Sequence, residues 1–368
     1  MNDSTSLPQA GAPSELQTMI AASVDRLFAE QVTPALLRAF DQGERAGADA
    51  LWQLVTELGL DRALVPAEAD GSGATWTEAY PVFRALGHTQ APVPLAETMV
   101  ARLLAARAGL SLPDGPATLL EAGRVPGLRL GTESLSGDAG EVPWAGSCAS
   151  VVVSGNGRLA VVALRQPGVR IAPRDNLAAE PRELVTFTNA ALAASAAQPF
   201  PALAEPVWAL GALARAAMLV GALEAALATA VDHANTRVQF GKPLGKQQAL
   251  QQNLAEVAGM IGAARVATQV ACASAPHDAT PCPTFLFDVS VAKIRAGEAA
   301  TRATNVVHQV LGAIGFTQEH HLHFATRRLW SWRGEFGSDA QWAATLGKAA
   351  IAAGAGGFWD MLTRRALG

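Results

Sequence analysis

Apolar positions repeat every three or four residues through most of this chain and give way to short β-branched runs only in its middle. From residue 15 to about 109 the spacing is helical, broken by Pro and Gly. Leu51, Leu54, Val55 and Leu58 share one helical face, and Gly59 follows as a helix stop. The loop Val65-Pro-Ala-Glu-Ala-Asp-Gly-Ser-Gly73 leads to another helix, whose start Thr75 or Thr77 can cap. Pro92 and Pro94 break the chain before an apolar helix over residues 95–108.

Between about residues 111 and 201 helix stops dominate. Val151-Val-Val-Ser-Gly-Asn-Gly-Arg-Leu-Ala-Val-Val162 reads as two valine-rich strands around a Gly-Asn-Gly turn, with further strands over 169–171 and 184–187. Long helical stripes return after Pro206. Phe285, Val289, Ala292, Ala296, Ala299, Ala303, Val306 and Val310 step by four and three, as do Leu250, Leu254, Val257, Ile261 and Ala264. One such stripe per helix suits an antiparallel bundle with close, alanine-lined contacts. The pattern predicts a mainly α fold with an inserted β domain: an N-terminal helical domain (1–110), a middle β domain (111–201) and a C-terminal helical bundle (202–368).

Composition narrows the function classes. Half the residues are apolar, 16% are charged, and there is one Tyr, which favours packed helices over an all-β architecture. A net charge of -4 with scattered arginines gives no basic field for nucleic acid. Cys148, Cys272 and Cys282 lie far apart with no CxxC pair, which fits a reducing cytosol and no cysteine zinc site. Residues 1–16 are polar and lack the apolar core of a secretion signal. The stretch 216–231 is interrupted by Glu224 and is short for a bilayer span, so a cytoplasmic protein is expected.

Two segments carry candidate chemistry. Arg237-Val-Gln-Phe-Gly-Lys-Pro-Leu-Gly-Lys-Gln-Gln248 joins two long helices and, taken alone, reads equally as an inter-helix turn with a surface Arg. His308-Gln-Val-Leu-Gly-Ala-Ile-Gly-Phe-Thr-Gln-Glu319 ends a helix at glycines, where free backbone N–H groups can meet a phosphate, or simply cap the helix. Together, about seventy residues apart on successive helices, they resemble the acyl-CoA dehydrogenase family, with its Arg-x-x-Phe-Gly-x-x-Leu-x-x-x-Gln and Gln-x-x-Gly-Gly-x-Gly segments. Trp52 to Gly73, Leu86-Gly87 and the Pro92-Val-Pro94 break resemble that family's N-terminal domain.

The resemblance implies FAD held at a subunit interface without a Rossmann fingerprint. Arg237 would meet the pyrophosphate, with Gln239, Phe240 and Gln248 beside the cofactor. Gln309, Gly312, Ala313 and Gly315 would approach the adenosine diphosphate of a neighbouring subunit's FAD. It also implies an acyl-CoA substrate, an electron-transfer flavoprotein as acceptor, and a homo-oligomer or a heterotetramer with a homologous chain. Ala313 stands where the family has its second glycine.

The family's reaction needs a carboxylate base facing the flavin. Alignment from Gln309 and Arg327 puts Phe336 at the usual base position, and the family's second location maps to Gly211. Glu335, one residue early, is therefore the candidate base, with a solvated loop carboxylate as its bland counterpart, and Asp339 is a distant third choice. The family's Thr-Glu-x-x-x-Gly-Ser-Asp segment is not recognisable. Trp144 is either core or flavin-facing. His320 and His323 share a helical face but have no third ligand for zinc, so no metal is expected. Arg327-Arg328 reads as an interface or CoA-side feature, or as a surface pair.

Overall fold

The structure, a computed structural model, describes residues 15–239, 241–278 and 280–367; Phe240 and the polar stretch before residue 15 lie outside them. Five helices come first: α1 (Glu15–Gln31), α2 (Pro34–Asp41), α3 (Ala46–Glu57), α4 (Trp76–Thr89) and α5 (Leu95–Arg107). Gly59 takes φ 69° just beyond α3, the left-handed stop that a glycine adopts without strain. Thr75, not Thr77, caps α4: its hydroxyl accepts from the Glu78 N–H while the Glu78 carboxylate accepts from the Thr75 N–H, a capping box.

Eight strands then form two four-stranded sheets. β1 (Ala117–Glu121), β4 (Ser150–Gly155), β5 (Arg158–Ala163) and β8 (Ala194–Ala197) make the first, in the order β1-β4-β5-β8, with β1 parallel to β4. β2 (Arg129–Leu130), β3 (Ser134–Pro143), β6 (Val169–Ala172) and β7 (Arg182–Ala191) make the second, in the order β2-β3-β7-β6. The expected hairpin is β4–β5: Gly155 pairs with Arg158, and Asn156 and Gly157 turn with φ 54° and 70°. The first sheet is a middle layer. Val151 and Val153 of β4 pack in the core shared with the second sheet, while Val152 packs in the helical core. This is why β4 is a continuous apolar run rather than an alternating one.

The helices resume as α6 (Pro206–Thr236), α7 (Gln248–Ser274), α8 (Phe285–Leu311), α9 (Leu322–Trp332) and α10 (Asp339–Arg364). Every member of the α8 stripe is buried, as are Val257, Ile261 and Ala264 on α7. The α6 stretch corrects the sequence reading. The helix has 31 residues and is long and apolar enough to cross a membrane, but 83% of its most apolar window is buried inside the protein. Its apolar surface is spent on the core.

α4 and α6 approach closely through two glycines. A Cβ at Gly87 would lie 1.9 Å from the Met218 carbonyl oxygen, and one at Gly221 would lie 1.9 Å from that of Arg84. Arg84 then clamps the same pair of helices, its Nε 2.7 Å from Glu224. Gly221→Ala therefore has to push the helices apart, and we expect a marked drop in melting temperature. Thr75→Ala, which removes one cap, should cost only about 1 kcal/mol in a denaturant titration.

Candidate active-site cleft and cofactor cavity

A cleft of ≈ 600 Å³ opens where the sheets meet the bundle. Strands β1 and β3 contribute Leu120, Glu121 and Pro143; α6 contributes Trp208; the turn after α9 contributes Glu335 and Phe336. The two locations that the resemblance gives for the base lie together here. A Cβ at Gly211 would sit 2.5 Å from the Phe336 ring, so Phe336 fills the space that a side chain at either position would share. Phe336 holds φ 50°, a left-handed conformation uncommon for an aromatic residue. Trp342 Nε1 donates to its carbonyl at 2.9 Å and helps hold the turn.

Glu335 borders this cleft but is not poised as a base. Arg182 grips it in a fork, Nε to Oε1 at 2.8 Å and Nη2 to Oε2 at 3.1 Å, and Arg215 Nε reaches Oε2 at 2.6 Å. Burial alone would raise its pKa, but Arg182 and then Arg215 outweigh burial and hold it at about 2. A carboxylate that is this hard to protonate is a poor proton acceptor near neutral pH. Asp339 is likewise taken, by Arg333 at 3.1 Å.

The pairs continue as a chain of alternating charge. Arg215 also pairs with the buried Glu97 of α5. Arg182 reaches Glu180 at 3.3 Å, and Glu180 pairs with the fully buried Arg328 at 3.1 Å and accepts from Trp332 Nε1 at 2.7 Å. Arg328 is thus an interior residue, not part of a surface or CoA-side feature, and Arg327 pairs separately with Asp41. Buried Lys293 donates to the Trp332, Arg333 and Glu335 carbonyls, at 3.4, 3.3 and 2.9 Å, and so holds the turn that carries Glu335. Burial brings its pKa down to about 7.

The cleft carries one carboxyl that the sequence reading passed over. Glu121, 5% exposed at the end of β1, is paired in register with Ser154 of β4. Its Oε2 accepts from Ser154 Oγ at 2.5 Å and from the Trp208 N–H at 3.3 Å, while Oε1 is buried with no hydrogen-bond partner among the described residues. Burial lifts its pKa to about 7, against the pull of the Ser154 and Trp208 hydrogen bonds. Leu120-Glu121 keeps only the Glu of the sought Thr-Glu-x-x-x-Gly-Ser-Asp pattern, which is why the segment escaped notice. Arg215 had a visible signal: with Glu224 it is one of two charged residues in the otherwise apolar run from Pro206 to Val231.

A second cavity, ≈ 590 Å³, collects residues from the two motif segments. Arg237, Gln239, Gln309, Gly312 and Ala313 line it. Among the described residues none pairs with the Arg237 guanidinium or hydrogen-bonds to the Gln239 and Gln309 side chains. Gly312 turns with φ 63° and has open space around it. Gln248 is exposed at the start of α7 and Gln247 takes the place beside the cavity. Gly315 is buried, and a Cβ there would meet Leu311 at 2.9 Å, so it serves the helix end rather than the cavity wall. Phe240 is outside the described residues.

Trp144 is 5% exposed in the core between the sheets, its ring 6.0 Å from Phe40. His320 Nδ1 accepts from the Leu322 N–H at 3.1 Å and His323 Nδ1 lies 2.7 Å from the His320 carbonyl, so both serve the start of α9. Among the described residues no group of three His, Cys, Asp or Glu side chains could hold a metal ion.

A helical–β–helical chain with a cleft at the sheet–bundle junction defines a class, and the sequence comparisons name it. The N-terminal and C-terminal domain models of acyl-CoA dehydrogenase match residues 14–109 and 206–351, and the chain belongs to that family. It is 29% identical over 320 residues to acyl-CoA dehydrogenase IpdE2 of Mycobacterium tuberculosis, covering 86% of this chain and 91% of that protein. With acyl-CoA dehydrogenase FadE27 of the same organism it shares 28% identity, over 82% of this chain and 87% of the other. Among solved structures, a chain of the ChsE4–ChsE5 complex of Mycobacterium tuberculosis superposes with TM-score 0.80 at 22% identity, covering 93% of this chain and 98% of that one. A steroid acyl-CoA dehydrogenase variant, Tcur3481–Tcur3483, gives 0.81 at 25% identity, covering 94% and 100%.

Two outcomes test the charge chain. Arg215→Met leaves Glu335 and Glu97 buried without their shared partner, and we expect a loss of about 3–5 kcal/mol in equilibrium unfolding. Because the Glu335 pKa is depressed on folding, its contribution is complete above the ordinary carboxylate range, near 4.3, and is lost as pH falls toward 2. Glu335→Gln should therefore flatten that stretch of the stability–pH curve, and an unchanged slope would remove Glu335 as its cause.

Proposed function

We propose that the chain is a subunit of an FAD-dependent acyl-CoA dehydrogenase that oxidises an acyl-CoA thioester to its trans-2-enoyl form, with an electron-transfer flavoprotein as the acceptor. The observation that carries this reading is the cavity in which Arg237, Gln239 and Gln309, their side chains unpaired among the described residues, converge from segments seventy residues apart. A guanidinium and two amides with no partner among the described residues suit the diphosphate end of FAD, and the open backbone at Gly312–Ala313 suits its adenosine. FAD, when bound, supplies the two-electron acceptor. The cavity lies on the bundle, away from the cleft residues, which suits a cofactor shared between two subunits. Three unpaired cysteines suit a cytoplasmic location.

A second reading has its own observation. Phe336 packed on Gly211, with Glu335 tied to two arginines, favours a subunit that completes a partner's FAD site and does no chemistry itself. The structural relatives named as two-protein complexes are compatible with either reading.

Both readings place FAD on Arg237, so Arg237→Ala should lower the flavin retained on purification, measured by absorbance near 450 nm, by at least about tenfold in affinity, the scale of one charge-assisted contact. Anaerobic titration with acyl-CoA thioesters separates them. Bleaching by the purified chain supports an active dehydrogenase, whereas flavin that appears only with a copurifying homologous chain supports the completing subunit. A preparation that takes up no flavin in either setting would sink both.

A further inference from the structure

With Glu335 unavailable, an active cleft needs another proton acceptor. We propose that Glu121 is that group, taking the α-proton of an acyl thioester bound in the cleft between the β sheets and the bundle; this rests on the dehydrogenase reading above.

The placement argues for it first. Trp208, whose N–H holds Glu121 Oε2, and Gly211, on which Phe336 packs, are three residues apart on α6 and so share a face, about 4.5 Å apart along the axis. The Glu121 carboxyl thus meets the first turn of α6, one turn before Gly211 in the helix, and lines the same cleft as Phe336. It comes from the strand side instead of from the helix or the turn. The aromatic plug at Phe336 and the carboxyl at Glu121 are neighbours along one wall of one cleft.

The state of its two oxygens argues for it next. Oε2 is fixed by Ser154 and by the first turn of α6, which orients the group, and Oε1 is buried without a partner. A buried carboxyl oxygen left unpaired is costly unless something arrives to use it. The other carboxyls of the cleft are not in this condition. Glu335 is held by Arg182 and Arg215, Glu141 by Arg174 at 2.8 Å, and Asp175 is exposed to solvent. The charged groups that face Glu121 are Glu205 and Arg124, which pair with each other and largely cancel. Burial then outweighs the opposing Ser154 and Trp208 hydrogen bonds and leaves the proton affinity close to that of a base working near neutral pH.

The chemistry balances with FAD as the oxidant. The α C–H bond breaks and its proton goes to Glu121 Oε1; the electron pair forms the new double bond as hydride leaves the β-carbon for the flavin. Glu121 returns its proton to solvent when the product leaves.

The test uses the protein as purified, with its flavin and any copurifying chain, and an acyl-CoA in which sulfur replaces the β-carbon. That compound has an α-proton to give but no hydride, so its exchange with D₂O, followed by NMR, reports the base alone. Glu121→Gln keeps an oxygen to accept from Ser154 and Trp208 and should fold. We expect it to slow exchange by at least about a hundredfold with flavin content unchanged. In ¹³C-carboxyl-labelled protein, one resonance should titrate near neutral pH and be missing from the variant. Exchange at the wild-type rate in Glu121→Gln, or no such resonance, overturns the assignment. Thioester-dependent bleaching that survives the substitution overturns Glu121 but keeps the dehydrogenase reading; wild-type protein with neither flavin nor thioester binding overturns both.

Discussion

The buried sequence of charges Arg328–Glu180–Arg182–Glu335–Arg215–Glu97 ties the molecule together. Its members come from α9, the loop before β7, β7 itself, the turn after α9, α6 and α5, so ion pairs join the N-terminal helices to the bundle at Glu97–Arg215 and the β region to the bundle at Arg182–Glu335 and Glu180–Arg328. Signs alternate along the chain. An ion taken out of water is costly by itself, and the cost is met only when its neighbours are present with good geometry. The regions are therefore obliged to meet in one arrangement, and specificity of docking, more than net stability, is what such a network provides.

That constraint also decides the chemistry of the cleft. A glutamate can be a proton acceptor or one link in an ion-pair chain, but two guanidiniums on one carboxylate favour the second role strongly. Glu335 has been recruited into structure, and Phe336 beside it closes over Gly211. Among the described residues no guanidinium hydrogen-bonds to Glu121, and burial drives its proton affinity the other way. Two carboxyls bordering one cleft are thus pushed apart in pKa, from about 2 to about 7, by nothing more than who their neighbours are.

The cavity proposed for the cofactor follows a different rule. Its walls include the exposed Arg237 guanidinium and the exposed Gln239 and Gln309 amides, which pair with no side chain among the described residues, and Gly312, whose N–H closes α8 on the His308 carbonyl. Groups left unpaired at a surface cost little, so a ligand site of this kind can be kept open, while the interior network cannot. Ala313 lines this cavity next to Gly312, the residue that takes the left-handed turn, and the substitution thus falls where a Cβ is tolerated.

The sequence by itself determined the layout: the α8 stripe, the Asn156-Gly157 hairpin, the Gly59 stop and the two motif segments each act through local periodicity or turn chemistry, which nearby residues settle. The family resemblance pointed to both motif segments but assigned them to the FAD of two different subunits; that Arg237, Gln239, Gln309, Gly312 and Ala313 line one cavity is a result of the tertiary structure. For α6 the sequence underestimated the length, since the helix runs to 31 residues, while its burial depends on which helices cover it. Only the tertiary structure decided that Glu335 is an ion-pair partner, that Arg328 is interior, that Gln247 instead of Gln248 faces the cavity, and that Glu121 is a buried carboxyl at the cleft held by Ser154 and the Trp208 N–H. The physical reason is common to all four. A charge or amide takes its role from groups tens to hundreds of residues away in the chain, and no local pattern records which of them will arrive.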